Sequence, residues 1–180
     1  MVCASMSQEP SDSLLLERFA KGDAASLGEI ARRYEGPLLG LSRGLLHGRD
    51  DLAREAVQDA WVRVINAAKH FDKRAQVRTW LYRIVINRCS DIRARELRSV
   101  NGVVTNAHAR VVDGDTTTDL RVAVEGLPES QRLVLLLCYH RGLTHEQAAE
   151  VLDLPVGTLK TRLHGALEAL RGILKPEPKP

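Results

Sequence analysis

The feature that most constrains this chain is the spacing of its apolar residues, which is helical in nearly every periodic stretch. Ser11-Asp12-Ser13 is a capping cluster ahead of Leu14, Leu15, Leu16 and Phe19, and Gly22 closes that helix. A second helix over 24–35 buries Leu27, Ile30 and Tyr34. Gly36-Pro37 then breaks or kinks the chain before 38–47 continues, because proline lacks the amide proton a helix interior needs. Asp50-Asp51 opens a helix over 51–68 with the stripe Leu52, Ala56, Ala60 and Val64, flanked by Val57, Trp61 and Ile65. After the loop His70–Gln76 a long helix over 77–97 buries Val77, Trp80, Leu81, Ile84, Val85 and Ile92.

The pattern lapses over Ser99–Thr118, which is rich in Val, Thr, Asn, Gly and Asp and reads as a linker. A short strand over 100–104 would lack any partner strand. From Asp119 the helical period returns, with a start at Pro128, the leucine-rich Leu133–Tyr139 and a break at Gly142. Helices over 144–152 and 156–174 follow. The expected architecture is all-α: a helical domain over 12–98, a flexible linker over 99–118 and a second helical domain over 119–174. The linker is long enough for the two domains to occupy separate surfaces.

Composition narrows the function classes. Only 4% of residues are aromatic, too few for an aromatic-cored β-sandwich, while 44% are hydrophobic and suit helical cores. No apolar run approaches the roughly 20 residues of a membrane span, and the polar start lacks a secretory signal; a cytoplasmic protein without membrane insertion is expected. Three scattered cysteines (Cys3, Cys89, Cys138) fit neither a disulfide framework nor a zinc module, and no metal or other cofactor is expected. The net charge of +3 is unevenly spread: residues 1–60 hold 7 Lys/Arg against 10 Asp/Glu, and residues 73–98 hold 8 against 2. An acidic third followed by a basic block suggests two partners of different character, although a solvated basic face would look the same.

The sharpest local pattern is Leu143–Leu170. Thr144 caps a helix, Ala149 is small where helices cross, and Asp153 stands at a turn that wants positive φ. Pro155 starts the next element, lined inside by Leu159, Leu163, Leu167 and Leu170. That is a helix-turn-helix. Gly157, Thr158, Lys160, Thr161, Arg162 and His164 occupy the first half of the second helix, where a recognition helix offers hydroxyls and cations to the major groove and backbone N–H groups to a phosphate. An ordinary helical hairpin with a polar outer face remains the alternative.

The segment LPESQRLVLLLCYHRGLTHEQAAEVLDLPVGTLKTRLHGALEALR (127–171) resembles region 4 of an extracytoplasmic-function sigma factor of bacterial RNA polymerase. AREAVQDAWVRVINAAKHFD (53–72) and VRTWLYRIVINRCSDIRAR (77–95) resemble region 2 of the same family, in the right order. The resemblance implies a subunit that directs core enzyme to promoters and helps open them. Asp51, Glu55, Gln58 and Asp59 would meet the clamp of the largest core subunit, with the second domain at the flap; by pattern alone they are an exposed polar face. Lys73, Arg74, Arg78, Asn87, Arg88, Asp91 and Arg95, with Arg93, would contact the −10 element, and His70–Gln76 would receive an extruded base. The helix-turn-helix would read the −35 element, and an anti-sigma factor would bind both domains.

Several departures carry expectations. Leu81 stands where housekeeping sigma factors place a second adjacent aromatic, so weak melting and dependence on a good promoter match follow. Gly165-Ala166-Leu167-Glu168 replaces the arginines many relatives carry, which predicts weak DNA binding by the isolated second domain. Asp153 replaces the family's turn glycine, and Met6 is an alternative start to Met1. A dimeric helix-turn-helix regulator would leave 51–72 unexplained. An enzyme finds no nucleophile elbow, phosphate-binding glycine loop or metal quartet in the sequence. A redox sensor would rest on Cys89, whose position beside Val85 and Ile92 favours an inert thiol.

Overall fold

A computed structural model describes residues 9–72, 75–99 and 116–173, and these are helical, with no strand among them. Helix α1 (Asp12–Ala20) is capped by the Ser11 hydroxyl, which accepts from the Leu14 amide, and it buries Leu15 and Leu16. Gly22, at φ 106°, turns the chain into Asp23, which caps α2 (Ala24–Leu45) by accepting from the Ala25 amide at 3.1 Å. Helix α2 does not break at Gly36-Pro37 but runs through as one element of 22 residues. Proline in a helix interior costs about 3 kcal/mol. Ile30 on one side of it and Leu38, Leu41 and Leu45 on the other are buried against the same core, each contributing about 1.5–3 kcal/mol. Burial outweighs the lost hydrogen bond.

His47 and Gly48, both at positive φ, reverse the chain into α3 (Asp50–Ala67), whose buried face is Leu52, Ala53, Ala56, Val57, Ala60 and Val64. The expected stripe is in place, but Trp61 is only half-buried and Ile65 is exposed. A 3-10 turn (Ala68–His70) leads to α4 (Val77–Ser99). Val77, Leu81, Val85 and Ile92 are buried as expected, joined by Thr79, Tyr82 and Cys89. Trp80 and Ile84 pack half-buried at the core's edge, with the Trp80 ring 4.9 Å from that of Phe71. Helices α1–α4 pack around one another as the first unit.

The segment read as a linker lies outside the described residues over 100–115, as does the strand considered for 100–104. Helix α4 extends through Ser99 and α5 (Thr116–Glu125) begins three residues earlier than expected. Helix α6 (Glu129–Leu135) passes into a π-helical turn (Leu136–His140), closed by the Arg141 amide on the Leu136 carbonyl at 3.0 Å. Val134, Leu135, Leu136 and Leu137 are all buried. Four consecutive buried residues need cover on two sides, supplied by α8 of their own unit and by α2 of the first.

Helix α7 (His145–Leu152) opens on a reciprocal capping box: the Thr144 hydroxyl accepts from the Gln147 amide, and the Gln147 side chain accepts from the Thr144 amide. Asp153 closes it at φ 53°, in the left-handed region the turn requires. Helix α8 (Val156–Ile173) buries Leu159, Leu163, Ala166 and Leu170, with Leu167 half-buried. Ala149, 2% exposed, lets the two helices cross closely. Gly165 has its own packing role, since a Cβ there would meet the Gln131 amide nitrogen at 3.1 Å. The second unit lies directly on the first, α7 against α4 and the π-helical turn against α2.

Candidate nucleic-acid interface

Helix α8 separates its residues by periodicity. With the leucines inward, Gly157, Lys160, Thr161 and His164 are exposed on one face, and Thr158 and Arg162 flank it half-buried. The Thr161 hydroxyl donates back to the Gly157 carbonyl at 3.1 Å, which leaves its oxygen as an acceptor. His164 sits 3.4 Å from Glu168, one turn on. The amides of Gly157 and Thr158 fall in the first turn, where a helix offers them no internal acceptor. The face therefore presents one ammonium, one imidazole, a hydroxyl oxygen and free N–H groups, a mixture suited to an anionic groove.

Helix α4 carries the basic block, and its arginines part in two directions. Arg88 turns to α3, donating to Asp59 at 2.5 Å and to Asp91 on its own helix at 2.8 Å, while Arg95 grips Glu55 at 2.7 and 3.2 Å. Arg78, Arg83 and Arg93 turn to the second unit. Arg78 lies over the Tyr82 ring at 5.8 Å and donates to the Arg141 carbonyl. Arg83 donates to the carbonyls of Glu150 and Val151, and Arg93 to the Glu129 carboxylate. Asn87 and Asp91 are exposed between these two sets, while Lys73 and Arg74 lie outside the described residues. Arg83 escaped the sequence reading. An arginine on a helix full of arginines gives no hint of which one has an acceptor waiting.

The acidic residues of α3 do not stand alone as the sequence suggested. Asp51 is held by Arg49 at 3.0 and 3.2 Å, and that hydrogen bond keeps its carboxyl below the usual range. Arg95 does the same to Glu55. Asp59 accepts from Arg88, while Gln58 is exposed. Asp51, Glu55, Gln58, Val62 and Ile65 nevertheless share one stripe at i, i+4, i+7, i+11 and i+14. Val62 and Ile65 are 52% and 48% exposed there, so the stripe is acidic at one end and apolar at the other.

Between the units lies a residue the sequence did not single out. Arg132 is 3% exposed, donates to the Glu125 carbonyl at 2.8 Å and faces the two ring nitrogens of His47 at 3.3 and 3.2 Å. Burial first, and the Arg132 charge second, push the His47 pKa down. A separate cleft of about 310 Å³ is lined from both units, by Arg33, Tyr34, Arg78, Tyr82, His140 and Arg141. Burial raises both the Cys89 and Cys138 thiols, which disfavours the reactive thiolate. Among the described residues no group of three or more His, Cys, Asp or Glu is placed to hold a metal, and no helix is long and apolar enough to cross a membrane.

Described residues without a strand, with a basic helix in one unit and a helix-turn-helix in the other, define a class, the DNA-binding transcription regulators. Comparison with known proteins narrows it. Residues 30–99 match sigma-70 region 2, and residues 117–170 match sigma-70 region 4. The RNA polymerase sigma-H factor of Pseudomonas aeruginosa is 29% identical over 95% of this chain and 97% of its own length. The ECF RNA polymerase sigma-E factor of Escherichia coli is 26% identical over 95% and 98%. In fold, the chain is similar to CnrH solved in complex with the cytosolic domain of CnrY, with a TM-score of 0.71, 24% identity and coverage of 92% and 97%. It is also similar to the sigma factor RpoE of Bartonella quintana, solved with the anti-sigma factor NepR, with a TM-score of 0.69, 23% identity and coverage of 84% and 98%. The chain belongs to the sigma-70 family, in its extracytoplasmic-function group, and is an RNA polymerase sigma factor acting in promoter-specific initiation.

Proposed function

We propose a division of labour among the helices by which the chain, without enzymatic activity of its own, brings core RNA polymerase to promoters. The stripe Asp51, Glu55, Gln58, Val62 and Ile65, with Asp59 beside it, docks on a basic and apolar surface of the core enzyme. Arg78, Asn87, Arg88, Asp91 and Arg95 of α4, with Lys73, Arg74 and the loop His70–Gln76, engage the −10 element as its strands separate. Gly157, Thr158, Lys160, Thr161, Arg162 and His164 of α8 read the −35 element in the major groove. The observation that carries this reading is the exposed polar face of α8, turned away from the leucine core and left uncovered by the first unit.

An anti-sigma factor spanning both units is the proposed regulator, supported by the solved relatives, two of which are complexes with CnrY and with NepR. Run-off transcription with core enzyme plus this protein across a random promoter library tests the whole reading. Initiation on a related subset of templates is expected, and absence of core-dependent initiation on every template would sink it. The leucine at 81 predicts strong dependence on promoter match, so efficient opening of many degenerate promoters would contradict the weak-melting part.

A further inference from the structure

The cleft of about 310 Å³ between the units gathers more guanidinium groups than carboxylates. Arg33 is already matched, donating to Asp12 at 2.8 Å and to Glu29 at 3.0 Å. Arg78 and Arg141 are not. Among the described residues neither makes an ion pair: Arg78 meets a backbone carbonyl and the Tyr82 ring, and Arg141 meets the His140 imidazole. Burial pushes the Arg141 pKa below the ordinary guanidinium value, and its Nε proton is buried without an acceptor. Burial first and the Arg141 charge second lower the His140 pKa, so that ring adds no counter-charge and little positive charge at neutral pH. Two uncompensated cations therefore face one cleft.

Both cations are seated. The Arg78 guanidinium lies over the Tyr82 ring at 5.8 Å, close enough to Tyr34 to act on its phenol. Arg141 rests on α2 at Gly40, where a Cβ would collide with its guanidinium. One turn on, a Cβ at Gly44 would meet Leu136 Cδ1 at 2.8 Å, whereas one at Gly28 or Gly36 on the same helix would meet nothing within 4 Å. Like charges held this near each other repel, and burial deepens the cost. One carboxylate would offset only one of them. A phosphate group carries about two negative charges near neutral pH, on oxygens spaced for the guanidinium fork. The cleft's volume falls at the lower end of the range for small-molecule sites, about 300–1,000 Å³. We propose that this cleft binds a small phosphate-bearing anion, clamped by Arg78 of the first unit and Arg141 of the second, with Tyr34 and His140 as its walls. Inorganic pyrophosphate and the diphosphate of a nucleotide offer that same chemistry. The site does not depend on the assignment of α4 and α8 to promoter DNA.

The test is equilibrium dialysis of the full chain against labelled pyrophosphate and labelled ADP at about 0.15 M salt. Saturation at one anion per chain is expected. Arg141→Gln should weaken it at least about tenfold, since one charged hydrogen-bonding partner is lost. Arg54→Gln removes the same charge from an exposed site on α3 and should leave binding unchanged. Equal weakening by the two substitutions, uptake that never saturates, or no uptake of either anion overturns the proposal. Competition by citrate as effective as that by pyrophosphate overturns the phosphate class. Tighter binding of ADP than of pyrophosphate assigns the site to a nucleotide, and the reverse order assigns it to the inorganic anion. Should Arg141→Gln lose helix by circular dichroism, the double substitution Gly40→Leu with Gly44→Leu takes its place. It displaces Arg141 without removing it, and wild-type affinity in that variant sinks the site. The unaltered chain gives a further check: pyrophosphate should shield Arg141, but not Arg54, from an arginine-modifying dicarbonyl, read by mass spectrometry. An unshielded Arg141 is the contrary result.

Discussion

Arg132 keeps a guanidinium at 3% exposure, with its protons shared between the Glu125 carbonyl and the His47 ring. Removing one partner of a buried charged hydrogen bond costs more than the bond contributes, because the remaining groups lose both water and partner. Arg132→Ala is therefore expected to lower unfolding stability by about 2–4 kcal/mol, read from urea denaturation, whereas exposed Arg54→Ala should move it by less than about 0.5 kcal/mol. The pH response follows from the same contacts. Burial pushes the pKa of His47 and of His140 below the ordinary imidazole value, with Arg132 and Arg93 opposing protonation of the first and Arg141 of the second, and Glu125 and Glu129 partly offsetting this at His47. A depressed histidine is neutral in the folded chain, so the unfolded chain binds the extra proton. Stability should be fully present above about pH 6.5 and decline as pH falls from there towards 5. Hydrogen bonds pull the carboxylates Asp23, Glu29, Asp51, Glu55 and Glu146 below their ordinary values, from Ser26 at Asp23, from Arg32, Arg49 and Arg95 at Glu29, Asp51 and Glu55, and from its own backbone amide at Glu146, and their loss begins only at lower pH. Denaturation midpoints measured at pH 7.5 and 5.5 check the sign, and His47→Asn should flatten part of the difference.

At the scale of elements, the caps and turns were legible because their chemistry is local. Ser11 and Thr144 each stand where a side-chain oxygen accepts from an amide three residues on, and Asp23, which the sequence reading did not single out, caps α2 through the Ala25 amide. Thr144→Ala should cost about 1 kcal/mol by removing half of the capping box. Asp153 pays for its left-handed φ of 53°, and Asp153→Gly should recover about 0.5–1 kcal/mol, seen as a higher denaturation midpoint. Of the break or kink expected at Pro37, the break does not occur in α2, because a local rule met four buried aliphatic side chains spread along both sides of it. The leucine-rich run after Leu133 was read as helix, and it is helical. Its π-helical turn had no signal, since the distortion answers to two packing partners at once. On α8, Lys160→Ala should weaken promoter binding by the holoenzyme and reduce its salt dependence, because that ammonium sits on the exposed face among the expected contacts.

At the scale of the whole molecule, contact between the units changes what cooperativity to expect. Two domains on a free tether unfold separately, whereas units sharing Leu136, Arg132 and the α4 arginines gain from each other's folding. The wild-type chain should therefore unfold in urea in one transition by both fluorescence and circular dichroism. The Gly40→Leu, Gly44→Leu double variant should split it into two. The charge distribution reads differently as well. The −3 over residues 1–60 and the basic excess over 73–98 looked like surfaces for two unlike partners. In the folded chain they partly meet each other, through Glu55 with Arg95 and Asp59 with Arg88.

Sequence alone settled the family, from motif blocks in order along the chain, and with it the helical class, the Ser11 and Thr144 caps, and the helix-turn-helix with its inward leucines. The class, the caps and the helix-turn-helix depend on residues within about a turn or two of one another, where period and side-chain chemistry act directly. Which arginine meets which oxygen was decided only by tertiary structure. Arg83 and Glu150, Arg93 and Glu129, His47 and Arg132 lie between 36 and 85 residues apart along the chain. Any of several arginines would satisfy a composition or a spacing, and the choice among them is made by how two packed units bring their backbones together.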